Sequence, residues 1–428
     1  MQENKHIAWL LSQLSTLVQN QVISPETAES IDEHYRTILS SRPQSNRFSL
    51  VFAIIGTILI GGGIILFLTR LNLSQPYRAA LAFVPLLAAQ ALTLHVVKNK
   101  QDSRPWHEAA AIVHTLMIGV CLDMVEQAYH LPISESSLLL TWLILTLPLS
   151  WLMQSVSIQV MLHIGAVSWF FQAQDSVSRN LIFLLLALFL TPAVIRIPRL
   201  SVPCSGHIVT RWSAALSLVA IIPNMLLRDI GLTRLICFSL LFSIYPSLET
   251  TRFSRQKSLV EKPFFIIGNS GICIILFLCT YPGILTEFVL PRESFNDLII
   301  IFALLALGII MPVVRRQNLN LVGWMSSLSG PLTFTAALIA SKTSSKSIFF
   351  WFFSAWLAAW SLAIMAAGFK ERRLAVVNIG VSILLIHIFI QFMRTDIGAL
   401  SRSLVFIVLG VLFLSLNRAF LRRRRLSS

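Results

Sequence analysis

Charge is the scarcest thing in this sequence. Only 12% of its 428 residues are Asp, Glu, Lys or Arg, against roughly 25% in a soluble domain. A folded globule needs a wetted surface, so this shortage excludes an ordinary soluble protein of such length. Cysteine is sparse and scattered, at Cys121, Cys204, Cys237, Cys273 and Cys279. No pair has C-x-x-C spacing and no Cys/His cluster forms, which leaves a disulfide framework and structural zinc without support. Short apolar runs of period two are absent, which argues against a β-barrel. A glycine-rich phosphate loop is also missing. The Gly61-Gly62-Gly63 triplet lies inside an apolar run, where small residues let helices approach closely.

What remains is oil. Hydrophobic residues make up 55% of the chain. They fall in runs of about 17–22 residues, close to the roughly 20 that a helix needs to cross the hydrocarbon. The expected fold is therefore all-α: a polytopic transmembrane helical bundle of about 14 spans. Those runs cover 48–69, 77–97, 108–128, 137–153, 156–173, 180–198, 209–227, 231–248, 263–282, 295–314, 321–340, 347–368, 374–393 and 403–420. The link at Gln154 is short, so the two runs around it read either as two spans or as a re-entrant hairpin. The first run starts near Phe48, after a polar stretch, and is too long for the core of a cleaved signal. It is expected to stay as the first span.

Residues 1–47 read as a separate cytosolic helical hairpin domain, and 48–428 as the membrane domain. Ile7, Leu10, Leu11, Leu14, Leu17 and Val18 recur at helical spacing. After a turn at Asn20-Gln21, Ser24-Pro25-Glu26 starts a second helix. Serine suits the cap, proline the first helical position, and glutamate the positive helix end. Ala28, Ile31, Tyr35 and Ile38 line its apolar face. A hairpin this small holds little core alone, so a cytosolic protein partner is one expectation for it.

The net charge of +15 does not indicate nucleic-acid binding. Bases cluster in short links between apolar runs, which is how membrane topology is written. With both termini in the cytosol, most of the 34 lysines and arginines fall on one side, including Arg422 to Arg425. Glu135, Asp175, Asp229, Glu287, Glu293, Asp297 and Asp396 fall on the other. The terminal arginines suit anionic headgroups, so membrane lipids are expected partners.

Three stretches resemble a family of bacterial predicted membrane proteins catalogued as a domain of unknown function. The first is Val22-Ile23-Ser24-Pro25-Glu26, followed by the glycine-bearing run from Gly56 to Phe67. The second is Glu126-Gln127-Ala128-Tyr129-His130-Leu131, similar to the family's Gln-x-Tyr-His element. The third runs from Glu371-Arg372-Arg373-Leu374 through Arg394-Thr395-Asp396 and Arg402 to the terminal arginines. Where members carry an Asn-Trp pair after the first span, this chain has Leu71-Asn72-Leu73. The resemblance implies a multi-pass protein of the bacterial cytoplasmic membrane and carries no activity with it.

Ionisable residues inside spans are costly and mark candidate sites. The third span offers Asp123, Glu126 and Gln127 on one helical face, followed by Tyr129 and His130. Two carboxylates a turn apart suit a proton or cation site; the plain alternative is a wetted interface. Arg394 and Asp396, in the last external loop, are expected to cap the same cavity. His163 and His387 read as inter-helix hydrogen-bonding groups, because no second ligand stands a turn away from either. Asn224, Asn269, Asn378 and Gln391 read as polar glue. Pro223-Asn224 and Gly330-Pro331 are the best candidates for broken helices. No metal site, no cofactor and no catalytic nucleophile–base pair is legible. Three functions stay open: a transporter or lipid-handling carrier, a membrane scaffold or sensor whose hairpin docks a partner, and an integral-membrane transferase at the outer face built from Glu126, His130, Arg394 and Asp396.

Overall fold

Lipid on the outside leaves the backbone only itself to bond with, and the described structure is helical throughout. The computed structural model describes residues 22–41, 75–99, 103–153, 155–173, 205–226, 231–249, 262–281, 295–314, 319–340, 346–371 and 373–394, with isolated positions such as Leu14, Asn180 and Phe183. Helix α1 spans Pro25–Ser41. Its start follows the expected chemistry: the Ser24 hydroxyl accepts the Thr27 backbone N–H at 3.2 Å, and Glu26 lies in the first turn. Most of the first arm of the expected hairpin lies outside the described residues.

Next come α2 (Gln75–Asn99), α3 (Arg104–Tyr129), α4 (Glu135–Met153), α5 (Val156–Gln172) and α6 (Ser205–Ile221). A short 3-10 helix, Ile222–Met225, prolongs α6. Then follow α7 (Gly231–Glu249), α8 (Pro263–Cys279), α9 (Phe295–Val314), α10 (Leu321–Ala340), α11 (Lys346–Lys370) and α12 (Leu374–Arg394). No strand occurs among the described residues. Seven of the described helices are long and apolar enough to cross a membrane, and α5, α7 and α8 contribute shorter apolar helices. The expected runs 48–69, 180–198 and 403–420 lie largely or wholly outside the described residues.

Prolines do less breaking than their number suggests. Pro85, Pro148, Pro246, Pro312 and Pro331 are carried inside α2, α4, α7, α9 and α10. Pro223 is different: α6 stops before it and the chain tightens into the 3-10 turn. Neighbouring helices can satisfy groups that an internal proline frees, which is why membrane helices tolerate it.

Two groups of helices build the core. In the first, α3, α4 and α5 close around Trp142. Its indole N–H donates to the Thr115 carbonyl at 2.9 Å. Its ring lies over Gly119 and Gly165, where an added Cβ would meet it at 3.3 and 2.6 Å. In the second, α7 is the central element, buried on nearly every side. Gly268 and Gly271 of α8, Gly308 of α9 and Gly330 of α10 all face it, as expected where small residues set the approach of membrane helices. Helix α10 is held from two other sides. Ser326 donates to the Asn269 side chain of α8 at 2.6 Å, and Trp360 and Trp356 of α11 donate to Ser326 and Ser329, each at 3.0 Å. The aromatic run on α11 therefore splits: Phe353 and Trp360 are buried, whereas Trp351 is exposed.

Helix α6 joins the groups. Ser213 bonds His163 of α5 at 3.1 Å, and the Ala215 carbonyl accepts the Tyr245 hydroxyl of α7 at 2.8 Å. These contacts fix helix directions. The first turns of α3 and α5 share one end of the bundle, the Ser155 end. The last turns of α3 and α6 and the first turns of α7 and α9 share the other, the His130 end.

Candidate functional site

The acidic face of α3 forms as a local feature. The Gln127 amide donates to the Asp123 carboxylate at 2.8 Å, one turn back on the same helix. Asp123 and Glu126 are half-buried, while Gln127, Tyr129 and His130 are exposed. His130 adopts a left-handed backbone, φ 48°, and its N–H donates to the Glu126 carbonyl. The Tyr-His element thus ends α3, a role that the residue types alone did not suggest. Arg394 is the last residue of α12, and Asp396 lies outside the described residues. The Asp123–Gln127 contact is an i,i+4 pair on one helix. Gln127→Ala is therefore expected to cost only about 0.3–0.5 kcal/mol, measured as a small shift in thermal unfolding in detergent.

A more deeply buried charge sits elsewhere at the same end. Asp297, in the first turn of α9, is 1% exposed. In sequence it was only one of several acids assigned to an external link. Helix α7 begins beside it: Cys237 lies within electrostatic reach of both Asp297 and Arg234. The broken end of α6 packs on α7. Leu226 packs in the same cluster as Ile236, Cys237 and Ile301, and Ile300 packs against the cluster holding Ile221 and Met225. Asn180 is buried there too. Its amide N–H donates to the Met225 carbonyl at 2.8 Å, and its own carbonyl oxygen finds no hydrogen-bond partner.

The corner has a definite chemistry. A carboxylate with almost no contact with solvent lies in the first turn of its own helix. The Arg234 guanidinium acts on the same Cys237 thiol, and the 3-10 turn that ends α6 packs on α7. Discontinuous helices at such places supply backbone groups that bind solutes and ions in membrane carriers. Sequence reading singled out Pro223 but not Asp297, because an acid at the head of a span resembles any other loop acid.

A second residue was also overlooked. Glu108, in the first turns of α3, accepts hydrogen bonds from the Ser155 hydroxyl and from the backbone N–H groups of Val156 and Ser157, the latter two at 3.0 and 2.9 Å. It caps α5 from a different helix. His163 and His387 are buried in α5 and α12, His163 bonding to α6 as a helix-bridging group. Among the described residues, no cluster of three or more His, Cys, Asp or Glu is placed to hold a metal ion.

Helices of this length and apolarity, packed through glycine and serine, define a multi-helix membrane protein. A family model described as Predicted membrane protein (DUF2157) matches residues 15–159. That stretch contains α1 to α4, the Gln-x-Tyr-His element and the first residues of α5. No curated protein and no solved structure matches the chain.

Proposed function

We propose that this protein is a membrane carrier whose ion- or proton-coupling site is the Asp297 corner. One observation carries the reading: a carboxylate buried to 1% exposure at the head of α9, which packs on α7, the helix on which α6 ends in its 3-10 turn at Pro223. Burying a charge inside a membrane bundle is expensive, and such residues are kept where they bind or move an ion. A carrier must also expose its site to water in part of its cycle. The joint between the helix groups, bridged by α6, is where such opening would occur. In this reading the chain has fourteen spans with both ends in the cytosol of a bacterium, in its inner membrane. The Asp123–Gln127 pair, with Glu126, Tyr129, His130, Arg394 and Asp396, forms the rim of the solute path at the same end.

Cys237 and Cys279 test this without any mutation. Both are almost fully buried, at 0% and 1% exposure, but Cys237 adjoins Asp297 and Cys279 lies at the end of α8. Protein in liposomes is treated with N-ethylmaleimide, and each site is followed by mass spectrometry. If the corner opens, Cys237 is alkylated well before Cys279. Equal protection of both until denaturation would rule out an opening corner and leave a static bundle.

A second reading, a scaffold or sensor, draws on α1. Glu26, Glu29 and Glu33 are exposed on it, giving an acidic surface suited to a basic cytosolic protein. Loss of function on deleting residues 1–41 with carrier activity intact would favour it.

A further inference from the structure

We propose that a hydrated inlet enters the bundle from the Ser155 end, running from Glu108 past Gln159 to His163. The inference is independent of the carrier reading and concerns the opposite end of the bundle. Ser155, Gln159 and His163 lie four residues apart, so they form one stripe along α5. The stripe faces α3 at Ser155, which bonds Glu108, and α6 at His163, which bonds Ser213. All three residues are buried. At about 1.5 Å of rise per residue, Gln159 lies ~6 Å and His163 ~12 Å beyond Ser155.

Gln159 is the key residue. It is 0% exposed, yet neither its amide nitrogen nor its amide oxygen has a hydrogen-bond partner in the protein. The Nε2 of His107, beside Glu108, is likewise buried and unpartnered. So are the hydroxyls of Thr115, on the Glu108 face of α3, and of Thr146, on the buried face of α4. Donors and acceptors on three helices that pack on one another are thus left unmatched. Buried polar groups in native proteins are matched by protein or by water, and a buried water uses two to four such partners. Water fits this set because it both donates and accepts, as the amide of Gln159 requires. Glu108 stands at the mouth, where a carboxylate keeps the entrance wet. The apolar packing of Trp169 and Phe170 closes the deep end.

Pulsed X-ray hydroxyl-radical footprinting of the full-length protein in nanodiscs reads bound water directly. His163 should be oxidised several-fold faster than Trp169, which is as well buried on the same helix. Gln159→Leu should then lower the His163 rate several-fold and lower Tm, because the water loses its anchor. Oxidation of His163 no faster than Trp169 in the unmodified protein overturns the inlet. So does a rise in Tm for Gln159→Leu, since that is the response of a polar side chain with no partner at all.

Discussion

Glu108→Ala is expected to destabilise the protein by about 2–4 kcal/mol, among the largest effects of any single polar substitution here. The carboxylate accepts three bonds at the head of α5. Two of the donors are backbone N–H groups, which a helix start cannot satisfy from within. Ser155 gives partial cover, since its hydroxyl also accepts from Ile158 at 3.4 Å. That bond is long, and it does not serve Val156 or Ser157. Removing the carboxylate also removes a negative charge from the positive end of α5. Glu108→Gln keeps the shape and one acceptor, so its loss should be smaller. Thermal or SDS-induced unfolding in detergent checks both variants. Unfolding of Glu108→Ala indistinguishable from the parent protein would mean that the cap holds nothing.

Gly330→Ala and Gly308→Ala should move stability in opposite directions, although both glycines face α7 from helix interiors. At Gly330 an added Cβ would stand 2.7 Å from the Ser239 carbonyl oxygen and 2.5 Å from the Ser243 hydroxyl. The first of these is backbone, so α7 and α10 must separate. Overpacking of that kind costs about 1–3 kcal/mol. At Gly308 the nearest atoms lie at 3.4 Å or beyond, which is ordinary contact. There the helix preference for alanine over glycine, up to about 1 kcal/mol, is left unopposed. Gly330→Ala should therefore unfold at lower temperature than the parent protein, and Gly308→Ala at the same or a slightly higher one. If both shift alike, the crossing of α7 and α10 is looser than drawn.

Particular residues show how far the sequence could be read. The start of α1 was legible from Ser24, Pro25 and Glu26, because capping depends on neighbours three residues away. The helices from α2 to α12 were legible as apolar runs, because lipid demands length and oiliness whatever the partners. Helix α10 was legible too, with the bounds of its run, but not its surroundings. Its Ser326, Ser327, Ser329 and Thr333 are polar but buried, since protein rather than lipid surrounds it. The acidic face of α3 was visible as a pattern, and its Asp123–Gln127 bond is local. Asp297 was not visible as a site, because its burial depends on how α9 packs on α7 and α10. Gln159 drew no notice either: only the placement of α3, α4 and α6 makes it unpartnered.

The amino-acid order alone settled that this is a helical membrane protein and where most of its helices lie, since a bilayer imposes those demands one segment at a time. Which polar groups meet was decided by the packed bundle. Glu108 with Ser155, Asp297 near Cys237, and Gly330 on Ser243 join residues from separate helices. Their energies depend on burial, and no local stretch of chain encodes burial on its own.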